Sequence, residues 1–224
     1  MPSILILAAT KPEISGLIKY FRTPLDTFFK YNKSQIFMTA TGVGSVNAAL
    51  KTGILLSKYQ FSQVFMFGCC GSYHNNIATG DVIMATGEIN GDLGVGYADT
   101  WQDPKNFPFA FINKQNKSYI NQYPCNSFDY RKFKVDYNIH TGVLLTVSTV
   151  SGDKNYAAQL KNRFDAIAEN MEGAASAQVC VYFDVPFTEI RGISNIAGDR
   201  NKNNWNIELA CCNSQDLLIK LLSE

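Results

Sequence analysis

A three-layer α/β single domain, with a mixed and mostly parallel central sheet flanked by helices, is the fold this sequence predicts. Three observations carry it. Short β-rich runs, apolar on both faces, recur along the chain. Stretches with helical spacing separate them. A strand that is apolar on both faces needs cover on both sides, which places helices above and below a parallel sheet. The chain is 224 residues long and 46% hydrophobic, enough for one sizeable core.

The elements follow in order. Ile4 to Ala9 is the first strand, and Pro12 suits the first turn of the helix after it, where its missing N–H costs nothing. Gln35 to Thr41 is the second strand. It ends at Gly42-Val43-Gly44, and Ser45 is expected to cap a helix with Val46, Ala49, Leu50, Ile54 and Leu55 on its inner side. Val64 to Phe67 is a third strand, ending at the turn-like run Gly68-Cys69-Cys70-Gly71. Asp81 to Ala85 and Val143 to Val150 are further strands. Gly173 to Tyr182 reads as a helix, Phe187 to Ile193 as a strand ending in Ser194-Asn195, and Asn206 to Leu222 as a closing amphipathic helix. Residues 87–138 differ, being rich in Asn, Lys, Pro and aromatics. They read either as an insertion over the site or as an irregular connection packed on the core, and Tyr97, Trp101, Phe107, Phe109 and Phe111 cluster in them.

Charge and cysteine usage exclude several classes. Twenty basic against nineteen acidic residues leave a net charge of +1, so no whole-protein footprint for nucleic acid or an anionic membrane exists. Six cysteines in this length are too sparse for a disulfide scaffold, and no CxxC pair offers zinc-knuckle spacing. His74 and His140 lack metal-ligand spacing to each other, so no metal and no cofactor are expected. The N-terminal apolar run is short and has no basic leader. A cytoplasmic location is the expectation.

In open α/β sheets, ligands bind outside the carboxyl ends of the strands. The polar residues at strand ends are Glu13, Gly42, Gly44, Cys69 to Gly71, Ser151 to Asp153, Asn170-Met171-Glu172, Arg191, Ser194 and Asn195. Each has a plain reading beside a functional one. The Gly42 turn can cradle a phosphate, but it lacks the third glycine of a dinucleotide fingerprint, so a tight strand-to-helix turn is preferred. Cys69-Cys70 can hold a nucleophile, yet no histidine is near, and core cysteines are preferred. Glu172 suits either a helix N-terminus or a ligand. Asn195 suits a turn or a base contact. Together, two carboxylates, an arginine and an amide suit chemistry on a sugar with a basic leaving group.

Five segments resemble the purine nucleoside phosphorylase/nucleosidase superfamily. They are Ala9-Thr10-Lys11-Pro12-Glu13, Thr41 to Ala49, Gly68-Cys69-Cys70-Gly71 with Gly80-Asp81-Val82, Glu169-Asn170-Met171-Glu172-Gly173-Ala174-Ala175, and Arg191-Gly192-Ile193-Ser194-Asn195. They span nearly the whole chain in the family's order, and the Asn-Met-Glu-Gly-Ala-Ala element is the most specific. Within the superfamily, Arg191 to Arg200 with Trp205 most resembles the futalosine hydrolases. That resemblance implies a nucleoside phosphorylase-like fold, hydrolysis of futalosine to hypoxanthine, a small-molecule nucleoside as partner, and a homodimer. It also implies roles: Glu13 activates water, Arg191 helps hold that water, Glu172 accepts from the ribose hydroxyls, Met171 packs on the sugar, and Cys69 lines the ribose and base. Gly42, Gly71, Asn170 and Ser194 complete the implied substrate site.

One departure is informative. Adenine-specific relatives use an aspartic acid where this chain has Asn195. An amide donates to N7 or to a 6-oxo oxygen, so a 6-oxopurine fits better than adenine. A carboxylate at Glu13 disfavours phosphate, which calls for arginine donors, and favours water. The alternatives are methylthioadenosine/S-adenosylhomocysteine hydrolysis, phosphorolysis of inosine or guanosine, and silent nucleoside binding.

Overall fold

The computed structural model describes residues 1–97, 100–114 and 117–223. It opens with β1 (Ser3–Ala8) and α1 (Lys11–Phe21). Thr10 caps α1 reciprocally: its hydroxyl accepts from the Glu13 amide, while the Glu13 carboxylate accepts from the Thr10 amide. Next come β2 (Phe28–Tyr31), β3 (Ser34–Ala40), α2 (Ser45–Lys58), β4 (Gln63–Ser72) and β5 (Val82–Asn90). Short strands follow: β6 (Val95–Gly96), β7 (Trp101–Gln102), β8 (Ile112–Lys114), β9 (Lys117–Tyr119) and β10 (Gln122–Pro124). The chain then forms β11 (Ile139–Thr146), α3 (Lys154–Phe164), β12 (Ala168–Asn170), α4 (Gly173–Phe183), β13 (Phe187–Ile196) and α5 (Ile207–Leu222).

The central sheet runs β10-β5-β11-β12-β4-β1-β3-β2, with β13 pairing both β4 and β5. β1 is parallel to β3 and β4, β13 to β4, and β11 to β5 and β12. The pairs β2–β3, β12–β4, β13–β5 and β10–β5 are antiparallel. The sheet is therefore mixed and mostly parallel, as the sequence predicts.

Strand alternation divides the core. Leu5 and Leu7 of β1 pack in one cluster with Leu55 and Leu56 of α2 and Ala174, Ala177 and Cys180 of α4. Ile6 and Ala8 point the other way, to Ile14 and Leu17 of α1 and Leu217, Leu218 and Leu222 of α5. Burying each of these leucine and isoleucine side chains stabilises the fold by about 1.5–3 kcal/mol. Among the described residues, no helix is long and apolar enough to cross a membrane.

Four local expectations are corrected. Ser45 does not cap α2: the N-cap is Gly44, which has no side chain to donate an oxygen, and the Ser45 hydroxyl donates to the Met171 carbonyl. The inward face of α2 is also different. Ala48, Thr52, Leu55 and Leu56 are buried, whereas Val46 is 81% and Leu50 61% exposed, and Ile54 is also exposed. The run Gly68 to Gly71 is not a turn after β4 but its distal half, held by β13 on one side and β12 on the other. Residues 91–138 form a hairpin of β6 and β7, a second of β8 and β9, and the edge strand β10. None of this segment's described residues lines the large cavity, so its aromatic cluster is not the wall of the site. Phe107, Phe109 and Phe111 instead pack on one another.

Candidate active site

A cavity of about 1320 Å³ opens beyond the carboxyl ends of β1 and β4. It brings together Glu13, Cys69, Gly71, Asn170, Met171, Glu172, Arg191, Ser194 and Asn195. These residues are expected from the sequence and come from four separate segments. Gly42 is not among the lining residues, although its neighbour Val43 is.

The Gly42-Val43-Gly44 turn acts at one remove. Gly42 and Gly44 both have φ of 92°, a backbone that side chains rarely adopt. This turn aims the Gly44 amide at Glu172 Oε1, 3.0 Å away. The amide available for an anion is thus already given to a protein carboxylate, which agrees with the preferred reading as a tight turn.

Glu13 is divided between two tasks. Its Oε2 accepts from the amide and the hydroxyl of Thr10, each at 2.8 Å. Its Oε1 faces β4, accepting from the Cys69 amide at 3.3 Å. Gly68 permits that approach: a Cβ there would lie 2.7 Å from Glu13 Oε1 and 2.9 Å from Arg191 Nη1. The carboxylate is 7% exposed, so its capped half is fixed and its other half borders the cavity.

Arg191 is the hub beneath the site and is 1% exposed. Its Nε donates to Glu189 Oε1 at 2.7 Å. Nη1 donates to the Cys69 carbonyl at 3.3 Å, and both terminal nitrogens reach Glu172 Oε2 at 3.4 Å. Nη2 also donates to Asn170 Oδ1. Burial alone pushes the guanidinium pKa down, but Glu189, Glu172 and Glu13 outweigh it and hold it above its ordinary value. The arginine is therefore charged, and it orients Glu172.

Behind it lies a network that sequence reading misses. Asn170 Nδ2 donates to Glu88 Oε1 at 2.5 Å, and Thr146 donates its hydroxyl to Glu88 Oε2 at 2.8 Å. Asn170 Oδ1 accepts from the amides of Glu172 and Gly173, fixing the turn that presents Met171 and Glu172. Burial, then the neighbouring Glu189 carboxylate, pushes Glu88 well above the usual carboxylate range, which favours its neutral form. A neutral Glu88 lets two fully buried carboxyls lie side by side. The readable signal is Glu189 inside the strand Phe187 to Ile193: a buried charge there needs a cation, and Arg191 is two residues on.

Asn195, opposite Gly71 on β4, also lines the cavity. Its Oδ1 accepts from the Ser194 hydroxyl at 2.7 Å, and its Nδ2 donates to the Ile196 carbonyl at 2.9 Å. A carbonyl acceptor at Ile196 fixes which end of the amide is nitrogen. One N–H of Asn195 remains for a ligand.

The cysteines separate into two kinds. Cys70 is buried, and desolvation raises its pKa well above a thiol's ordinary value, which fits an inert core residue. Cys69 is partly exposed, and a hydrogen bond from Cys211 of α5 lowers its pKa. Sequence reading gave Cys211 no role. It also gave none to Lys19 of α1, which lines the cavity, or to the stacked pair of Arg200 and Trp205, 4.9 Å from guanidinium to ring centre, both of which line it too.

A mixed sheet with two buried carboxylates, an arginine hub and a donor amide around one cavity is an arrangement suited to chemistry on a sugar with a basic leaving group. The model of the Phosphorylase superfamily matches residues 4–223, and the chain belongs to that superfamily. Its sequence is 30% identical over 196 residues to the 5′-methylthioadenosine/S-adenosylhomocysteine nucleosidase of Bacillus cytotoxicus, covering 85% of this chain and 81% of that protein. It is 28% identical over 197 residues to the enzyme of the same description from Bacillus subtilis, covering 86% and 83%. The fold matches the Helicobacter pylori nucleosidase of that description in complex with butyl-thio-DADMe-Immucillin-A, with a TM-score of 0.80, 21% identity and coverage of 99% and 98%. It also matches the Colwellia psychrerythraea nucleosidase in complex with adenine, with a TM-score of 0.77, 23% identity and coverage of 99% and 94%.

Proposed function

We propose that this protein is an N-ribosyl hydrolase that cleaves a 6-oxopurine nucleoside, with futalosine as substrate and hypoxanthine as the released base. The observation that carries the reading is Asn195, 9% exposed, with one amide N–H left for the base. That N–H donates to N7 or to the 6-oxo oxygen as charge builds on the leaving base. Glu13 Oε1 takes the proton of the attacking water, and Glu172 Oε2 is turned towards the ribose hydroxyls by Arg191. Met171, which lines the cavity, would pack on the sugar.

The expected test is the swap Asn195→Asp. It should raise methylthioadenosine hydrolysis relative to futalosine hydrolysis by about one to two decades in the kcat/KM ratio, since a mismatched buried polar group costs roughly 1–3 kcal/mol. An unchanged ratio sinks the base-recognition argument.

The cavity supports the futalosine reading further. At about 1320 Å³ it exceeds the roughly 300–1,000 Å³ of ordinary ligand pockets. Its lining also includes Trp205, Arg200 and Lys19. Futalosine carries a carboxyphenyl group on the 5′ side of its sugar. The Trp205 ring suits the phenyl, and the Arg200 guanidinium suits the carboxylate. Arg200→Ala should lower kcat/KM about 10-fold for futalosine and leave inosine, which lacks that arm, within about 2-fold. An equal loss on both substrates contradicts this placement.

A second reading is favoured by the relatives, which are described as methylthioadenosine/S-adenosylhomocysteine nucleosidases. It predicts adenine release, and the same ratio decides between the two. We also propose a homodimer. The outward stripe of Val46, Leu50 and Ile54 on α2 sits next to Val43, an exposed residue that lines the cavity. A second copy against it would border the site.

A further inference from the structure

We infer that Glu13, Cys69 and Cys211 form a binding site for a soft divalent cation such as zinc, one that blocks the water-activating carboxylate. The inference rests on the proposed role of Glu13 for its inhibitory consequence, but not for the binding itself.

The three side chains come from α1, β4 and α5. Their ligand atoms lie within 4.8 Å of one another. A cation at their centre would be no more than about 2.8 Å from each, so movements of at most about 0.5–0.8 Å reach the roughly 2.0–2.3 Å of zinc–oxygen and zinc–sulfur bonds. Cys69 Sγ is already 3.7 Å from Glu13 Oε1. Neither cysteine is in a disulfide. The spacing rules of sequence reading miss this group because positions 13, 69 and 211 meet only in the fold.

The surroundings fit a cation. The Thr10 amide and hydroxyl hold Glu13 by Oε2, which leaves Oε1 as the ligand and gives it the outer hydrogen bonds that orient metal-binding carboxylates. All three residues border the cavity, so a fourth position remains for water. Arg191 is the nearby positive charge, but Glu189 and Glu172 engage it. Two thiolates and one carboxylate exceed the two charges of the cation by one. Thiolate ligands select zinc, cadmium or cobalt over magnesium or calcium.

Binding exchanges two thiol protons for the metal, with no change of oxidation state, so affinity rises with pH. The bound cation takes Glu13 Oε1, and the attacking water loses its base.

The test uses cobalt(II) and zinc(II) on the full chain. Cobalt should give a thiolate-to-metal charge-transfer band that saturates at one ion per chain. Cys69→Ser and Cys211→Ser should each abolish it, while Cys212→Ser, at an exposed neighbour outside the cluster, should keep it. In the hypoxanthine-release assay, Cys211→Ser should raise the zinc concentration for half-inhibition by about 100-fold or more, since losing even an outer partner costs 10–100-fold. No band in the unaltered protein, or a band that persists in Cys211→Ser, overturns the site. If no nucleoside is cleaved, the functional reading fails while the cobalt band still decides the metal site.

Discussion

Replacing Glu13 by glutamine should lower kcat for nucleoside cleavage by about 10²–10⁴-fold, the usual worth of a positioned general base. The change separates chemistry from folding unusually well. A glutamine oxygen still accepts from the Thr10 amide, because a capping box accepts glutamic acid or glutamine at this position. The α1 terminus therefore survives, and unfolding should be little altered. Substrate KM should also change little, since the glutamine keeps the volume next to Cys69. Steady-state kinetics beside a urea melt check both halves. Full activity in a folded Glu13→Gln protein removes Glu13 as the base.

The second large effect is on stability. Arg191→Leu should destabilise the protein by about 3–5 kcal/mol, the cost of stranding buried charges by removing their partner. Glu189 is fully buried and donates nothing to replace the guanidinium, while Glu172 loses both terminal nitrogens. For a chain of this size each kcal/mol moves Tm by about 2–4 °C, so a fall of about 6–20 °C is expected in a thermal melt. The double change Arg191→Leu with Glu189→Leu should recover part of that loss, because an apolar pair of similar volume leaves no uncompensated charge. A single variant that melts within about 2 °C of the parent protein contradicts the hub role.

Much of this was legible in the residues, for reasons that can be named. β1 and α5 are placed within one residue, and β13 is placed at its start but runs three residues further to Ile196, because buried strands and a capped amphipathic helix leave strong local patterns. Most of the site was legible through strand-end chemistry and through the Asn170-Met171-Glu172 element. The outward face of α2 was misread, since Val46, Leu50 and Ile54 are as apolar as a core stripe and sequence cannot say what covers them. Gly68 to Gly71 was misread as a turn because glycine usually marks one, whereas here it admits Glu13 and Arg191 beside a strand. The Glu88–Glu189 pair and the Cys69–Cys211 contact join residues 101 and 142 positions apart, so no local pattern announces them.

The central claim is hydrolysis of a 6-oxopurine nucleoside without phosphate. It is tested most directly by incubating the protein, free of phosphate, with futalosine, methylthioadenosine and inosine in parallel and following free base by chromatography. Hypoxanthine is expected from futalosine, at a higher kcat/KM than for either other substrate. Adenine from methylthioadenosine with none from futalosine contradicts the Asn195 argument, and base release only after phosphate is added contradicts hydrolysis at Glu13.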